Sequence, residues 1–371
     1  MTGLFVLLSV STTMAAETAA VDTPEETAVL DLGALSHIDA MVQRLADKQL
    51  VCVGETHARY DHHMNQLEII RGLYALHPDL VIGMEFFQQP FQKYLDRYIN
   101  GQIDEKALLR HTEYFERWRY DYRLYRPILR FAREHRIPVI ALNIPVEITE
   151  KVARKGMASL NEEERRQIPA NIDHSNKSYE ARLRGIFEKH PKRSDRRFED
   201  FLDTQLLWDE GMAQRAADHF KRHPEGHMVL LAGSGHLMYG DGIPDRVRRR
   251  VPVETAVVIN GTDSGIEKGV ADFLLLSKER MLPRGGMMGV LLDIDDEAVK
   301  IKEFADDSPA KKAGLKKGDR IVRLAGEPVK DYSDIRIALL GRLPGEEVEV
   351  VVVRHTIFIG DERFKYRVKL Q

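Results

Sequence analysis

The chain has 371 residues, 43% of them hydrophobic and 30% charged, with a net charge of -3. That length predicts two domains rather than one. The near-balance of charge excludes a chain-wide affinity for nucleic acid or anionic membrane, so any basic function must be local.

The apolar run Gly3–Val10, followed by small residues ending at Met14-Ala15-Ala16, reads as the hydrophobic core and cleavage site of a secretory signal peptide over 1–16. No positive residue precedes it, and a buried N-terminal strand is the alternative. An acidic, Thr/Ala-rich stretch then makes 17–30 a flexible leader. Cys52 is the single cysteine, so an intrachain disulfide is excluded, and its place in an apolar strand predicts a buried thiol.

Helix-type spacing (Ile38, Met41, Val42, Leu45) leads into an apolar strand from Leu50, which breaks at Gly54-Glu55-Thr56-His57. Met64 to Tyr74 keeps apolar residues three and four apart, as an amphipathic helix does, and His77-Pro78-Asp79 ends it. Leu80–Phe87 is a second buried strand containing Glu85. Residues 89–135 read as helical and aromatic, including Trp118 to Arg126. A third strand, Ile137–Asn143, precedes a mostly helical charged region to His223 with a loop near His190–Asp195. Further strands follow at Met228–Ala232 and Glu254–Ile259. Strands alternating with helices predict an α/β domain over 31–265: a parallel-rich sheet flanked by helices, with a large helical insertion. After about residue 262 short β runs dominate, beginning with Phe273–Leu276, and one helix starts at Ser333. They predict a small, mostly β domain over 270–371.

Two apolar runs end in Gly-x-x-His, at Gly54–His57 and Gly233–His236, and Glu85 ends the strand between them. Ligands and chemistry gather at the carboxyl ends of strands in open α/β sheets, so the three side chains are expected at one edge. His57, Glu85 and His236 form a competent set for a divalent ion such as Zn²⁺ or Mn²⁺ with an open position. Glu55 would be a further ligand, a general base, or the group that orients His57. Asp209 is placed to support one of the histidines, and Asn143 ends a strand on the same edge. The basic runs Lys189–Arg197 and Arg246–Arg250 lack interleaved aromatics, which argues against nucleic-acid binding.

Ser308-Pro309-Ala310, Ala313-Gly314-Leu315 and Gly318-Asp319-Arg320-Ile321 resemble the core of bacterial PDZ domains. The resemblance implies a partner: an extended or C-terminal peptide of an envelope protein, with its carboxylate at Met287-Met288-Gly289-Val290 and its strand beside a sheet edge. The first domain resembles the ChaN-like haem-binding uptake family of the Tiki superfamily. The resemblance rests on Gly54–His57 with His62-His63 and Gln66, Met84-Glu85-Phe86, Tyr122–Pro127, Ala141–Pro145, Gln205–Ala213, and Gly233–His236 with Gly240-x-Gly242-Ile243-Pro244. It implies haem as cofactor, handled for iron uptake in the periplasm or at the envelope of a bacterium, and it is consistent with a haem held between two copies. Haem needs an axial donor, aromatic walls and cations for its propionates. The candidate contacts are Tyr120, Tyr122, Tyr125, His62, His63 and Arg126, with Tyr122 and Tyr125 read as sharing a helix face. Unlike many members of that family, the chain has no cysteine after its apolar run that could be acylated. A metal-dependent hydrolase using Glu55, His57, Glu85 and His236 is the alternative, and a PDZ adaptor with an inactive first domain is a third reading.

Overall fold

The computed structural model describes residues 32–189, 197–261, 267–295, 298–356 and 360–371. The expected signal peptide and leader, and the loop at His190–Asp195, lie outside the described residues. One short turn, Leu32–Ala34, belongs to an N-terminal unit of its own, and the rest falls in a second unit, Ser36–Gln371.

The first sheet of that second unit has six strands: β1 (Leu50–Glu55), β2 (Val81–Gln88), β3 (Val139–Asn143), β4 (Met228–Gly233), β5 (Thr255–Asn260) and β6 (Phe273–Leu275). Their order is β3-β2-β4-β1-β5-β6, and each pairing is parallel. Strands β1 to β4 are buried from end to end, as a sheet covered on both faces requires. Alternation divides β1 between two cores. Val51 and Val53 face one with helix Tyr60–Leu76, and Leu50 and Cys52 face the other with helix Phe198–Arg222. The Cys52 thiol is buried, as expected.

β4 inserts between β1 and β2, with Val53 beside Leu231 and Met84 beside Leu231. The two Gly-x-x-His ends and the Glu85 end are therefore adjacent. Close approach needs both glycines. A Cβ on Gly54 would lie 2.9 Å from Ser234 Oγ, and one on Gly233 would lie 3.0 Å from His57 Cε1. Each motif's glycine makes room for the other motif's turn.

Two expectations change. Phe273–Leu275, read from sequence with the C-terminal β domain, pairs with β5 and extends the first sheet. The stretch Trp118–Arg126 is not a helix. It runs from the short helix Tyr114–Arg117 through a left-handed Arg119 (φ 69°) into a 3₁₀ turn at Tyr122–Leu124. A new helix, Arg126–Glu134, starts with a proline in its first turn, where its missing N–H costs nothing, and no helix runs into Pro127 from upstream.

The second sheet is antiparallel: β7 (Val290–Asp295), β8 (Ala298–Phe304), β9 (Arg320–Leu324), β10 (Glu327–Pro328), β11 (Glu347–Thr356) and β12 (Gly360–Lys369). It runs β12-β11-β9-β8-β7, with β10 beside β9 and β7 at an edge. Its helix, Tyr332–Ala338, packs on the first domain. Ile337 is 0% exposed and sits in the first domain's core. Arg336 lies over the Phe115 ring at 5.0 Å and 3.3 Å from the Asp121 carboxylate. Arg110 and Lys106 bind Glu327 at 2.9 and 2.8 Å.

Both tryptophans, Trp118 and Trp208, lie in the first domain, so tryptophan fluorescence follows its unfolding alone. Ile337→Ala in the second domain is expected to destabilise by about 2–5 kcal/mol, the range for emptying a buried aliphatic site. The fluorescence-detected urea midpoint should fall accordingly. An unmoved midpoint would mean that the two domains unfold independently.

Candidate functional site

The carboxyl edge of the first sheet brings together Glu55, His57, Glu85 and His236. Each histidine is held by a carboxylate at Nδ1, with Glu55 Oε1 2.5 Å from His57 and Asp209 Oδ1 2.5 Å from His236. With a proton at each Nδ1 to donate to its carboxylate, the lone pair of each neutral ring falls on Nε2. Glu85 lies between them. Its Oε2 accepts the Gly233 N–H at 2.7 Å and its Oε1 stands 3.6 Å from His236 Nε2. Glu55, His57 and Glu85 each offer one donor atom within 4.8 Å of the others. Glu55 Oε2 is buried without a hydrogen-bond partner.

The helix Phe198–Arg222 carries Asp209, which also accepts from the Tyr179 hydroxyl at 2.6 Å. The supporting role foreseen for Asp209 is thus met. Tyr179 was not singled out from sequence, because nothing local distinguishes a tyrosine on helix Lys177–Lys189 that meets Asp209 only after two helices pack. Asn143 ends β3 with its Oδ1 buried and unpaired.

Carboxylates set the electrostatics. Burial works against the His236 imidazolium, but the Asp209 and Glu85 charges outweigh it and lift its pKa to about 9. For His57 burial again opposes charge, and the Glu55 hydrogen bond with the Glu85 charge raises the pKa above its ordinary value. Three carboxylates around two imidazoles make an edge that favours a cation.

The predicted haem contacts separate into two groups. Tyr120 is 38% exposed, and its ring lies 4.8 Å from that of His57. Trp118 flanks His57 at the same centroid distance, 4.8 Å. The left-handed Arg119 between them turns both rings onto the imidazole. The others are framework. Tyr122 is buried and donates to Glu105 at 3.2 Å. Tyr125 is buried and donates to the His57 carbonyl at 3.3 Å, as does His63 Nε2 at 3.1 Å. His62 is buried and accepts the Thr56 N–H at 3.1 Å. Arg126 binds Glu105 at 2.6 Å. Tyr122 and Tyr125 were expected to face a ligand from one helical face. Without that helix both turn into the core, and no open side remains for an iron.

In the second domain, Gly289 (φ 69°) turns the loop at Met287–Val290 against Ser308 and Pro309. Met287 is exposed, whereas the Met288 side chain packs in the domain core, so that residue offers a ligand only its backbone. β7 pairs only with β8, leaving its other edge open to an added strand among the described residues.

Comparison with known proteins finds matches for both domains. Residues 41–247 match the family described as haem-binding uptake, Tiki superfamily, ChaN, and residues 286–370 match the PDZ domain family. The solved structure of ChaN of Campylobacter jejuni with cofacially bound haem covers 64% of this chain and 90% of its own, with a TM-score of 0.52 at 16% identity, a likeness of fold. The HtrA3 PDZ domain bound to a phage-derived ligand matches 23% of this chain and 85% of its own at 20% identity and a TM-score of 0.20. Protein RETICULATA-RELATED 5, chloroplastic, of Arabidopsis thaliana is 24% identical over 274 residues, 65% of this chain. The chain spans 36% of that relative's length.

His236 gives the metal-free protein a pH dependence of definite sign. Its folded pKa, about 9, lies above the ordinary 6.5. Its contribution to stability is therefore fully present below the ordinary value and is lost as pH rises through the folded one. The urea midpoint is expected to fall between pH 6.5 and 9, and Asp209→Asn should flatten that slope. Equal slopes in the two proteins would show that Asp209 does not hold the charge.

Proposed function

The chain belongs to the haem-binding uptake family of ChaN, within the Tiki superfamily, and from that premise we propose that its α/β domain binds haem against His57 at the carboxyl edge of the sheet. One observation carries this reading. His57 is fixed at Nδ1 by Glu55, leaves Nε2 for an iron, and lies between two partly exposed aromatic rings. The residues fit the group. His57 would supply a donor to the iron, Trp118 and Tyr120 flat walls, and Arg119, exposed between them, a cation for a propionate. Burial and the Glu55 and Glu85 charges push the Tyr120 phenol pKa up, which favours the neutral side chain as a wall in the haem-free protein. Bound iron supplies a Lewis-acidic centre, and this chain's residues hold and orient it. An exposed tyrosine beside the proposed axial donor leaves one side for a second copy around the haem.

In this reading the PDZ domain takes an extended peptide of an envelope protein on the open edge of β7. The apolar run Gly3–Val10 supports handling in the periplasm or at the envelope. Among the described residues, no helix is long and apolar enough to cross a membrane.

A second reading rests on the donor set Glu55, His57 and Glu85, with Glu55 Oε2 buried without a hydrogen bond and 3.7 Å from His63 Nε2. A divalent ion there, with His236 nearby, would acidify a bound water for hydrolysis. Glu55 Oε1 is committed to His57, so its role is to orient that ring and to offer Oε2 as a ligand.

Haem titrated into the apo-protein should give a saturable Soret shift, weakened about tenfold or more by His57→Ala, the loss typical when a ligating shell is broken. Tyr122→Phe should leave it unchanged. No Soret shift in the wild type would overturn the haem reading. Glu85→Gln separates the two readings, since it should remove the Zn²⁺ or Mn²⁺ equivalent held with Glu55 and His57 while keeping the Soret band.

A further inference from the structure

We propose that the opposite end of the same sheet carries a second, structural site for a divalent transition-metal ion, with His77, Asp79 and His227 as its protein ligands. His77 follows the helix Tyr60–Leu76, Asp79 lies in the turn that leads to β2, and His227 immediately precedes β4. The turn is built by backbone bonds. His77 N–H donates to Leu73 O at 2.8 Å, Leu80 N–H to His77 O at 3.0 Å, and Val81 N–H to His227 O at 2.9 Å. One donor atom from each side chain lies within 4.8 Å of the other two.

Two independent observations point to a ligand. His77 Nε2 lies 2.8 Å from the carbonyl oxygen of Ala46. A carbonyl only accepts, so Nε2 carries the proton and the lone pair of the neutral ring stands on Nδ1. Fixing one ring nitrogen on a backbone carbonyl is how metal-binding histidines are held in the ligating tautomer. The second observation is His227 Nδ1, which is buried without a hydrogen-bond partner and 3.6 Å from Asp79 Oδ1. A buried ring nitrogen left unpaired in this way calls for a partner that protein atoms do not supply.

The two imidazoles are stacked, with centroids 3.6 Å apart and planes 16° from parallel. Capture of an ion turns the rings out of the stack until their lone pairs converge, and the exposed Asp79 carboxylate swings in as the third ligand. Two imidazoles and one carboxylate suit Zn²⁺ far better than Mg²⁺ or Ca²⁺, with water in the fourth position. The ion would tie the end of helix Ile38–Leu45, through Ala46, to the starts of β2 and β4. It lies at the ends of these strands remote from Glu85 and Gly233, so it is separate from the proposed haem edge.

Zn²⁺ is offered to the chelator-treated full chain carrying His57→Ala and His236→Ala, and binding is followed by calorimetry and thermal unfolding. One equivalent is expected to bind and raise the unfolding temperature. His227→Ala in that background should weaken binding about tenfold or more, and so should Asp79→Asn, a surface change that leaves the fold in place. X-ray absorption should show nitrogen and oxygen ligands at about 2.0–2.1 Å. Absence of binding in the His57→Ala, His236→Ala background would overturn the proposal. So would affinity unchanged by both His227→Ala and Asp79→Asn, or Mg²⁺ bound as tightly as Zn²⁺.

Discussion

The pairing of β4 between β1 and β2 is the constraint on which the site depends. Chain order alone would place β2 beside β1. Inserting β4 sets Glu55 against Gly233 in register and brings Glu85 to the Gly233 amide. The approach is close enough that a methyl group on either glycine would strike the other motif. Gly-x-x-His is thus a packing requirement as well as a chemical motif. The glycine lets the strand ends meet, and the histidine that follows the two intervening residues arrives at the edge.

Around that edge, charge and hydrogen bonding hold the imidazoles still. Carboxylates occupy both Nδ1 atoms, and the Tyr179 hydroxyl anchors Asp209 in turn. The His57 carbonyl accepts from His63 and Tyr125, two buried groups. Such layered support is what a binding site needs, since a donor that wanders loses affinity to entropy. The Trp118–Tyr120 wall is less rigidly made. It depends on a left-handed Arg119, a conformation that costs free energy in a residue with a side chain and persists only when its surroundings enforce it. Arg336 of the second domain lies against Phe115 and Asp121, residues on either side of that turn.

Much of this architecture was legible in the residues. Fully apolar runs at Leu50–Val53, Leu80–Ile82 and Met228–Ala232 marked strands of a covered parallel sheet, and the Ser308–Ile321 motif marked the PDZ domain. Pairing of the two Gly-x-x-His ends and the support of one of the histidines by Asp209 were also readable, and the structure identifies that histidine as His236. The roles of the aromatics were not. Tyr120, Tyr122 and Tyr125 are chemically alike and closely spaced, and helical spacing puts two of them on one face. The backbone turns at Arg119 and restarts at Pro127 instead, leaving Tyr120 outside and burying the other two. Phe273–Leu275 misled for a related reason. A short apolar run says that a strand forms, and only the free edge of β5 decided which sheet receives it.

What the sequence by itself determined is what short-range chemistry dictates: apolar periodicity, glycine at tight approaches, and histidine and carboxylate at strand ends. What only the tertiary structure decided is which of those groups share a volume. Tyr179 reaches Asp209, Arg336 lies against Asp121, and His77 meets His227 across the far end of the sheet. The physical reason is the same in each case. These contacts join segments separated by tens to hundreds of residues, and their geometry is set by strand order and helix packing, which no local pattern encodes.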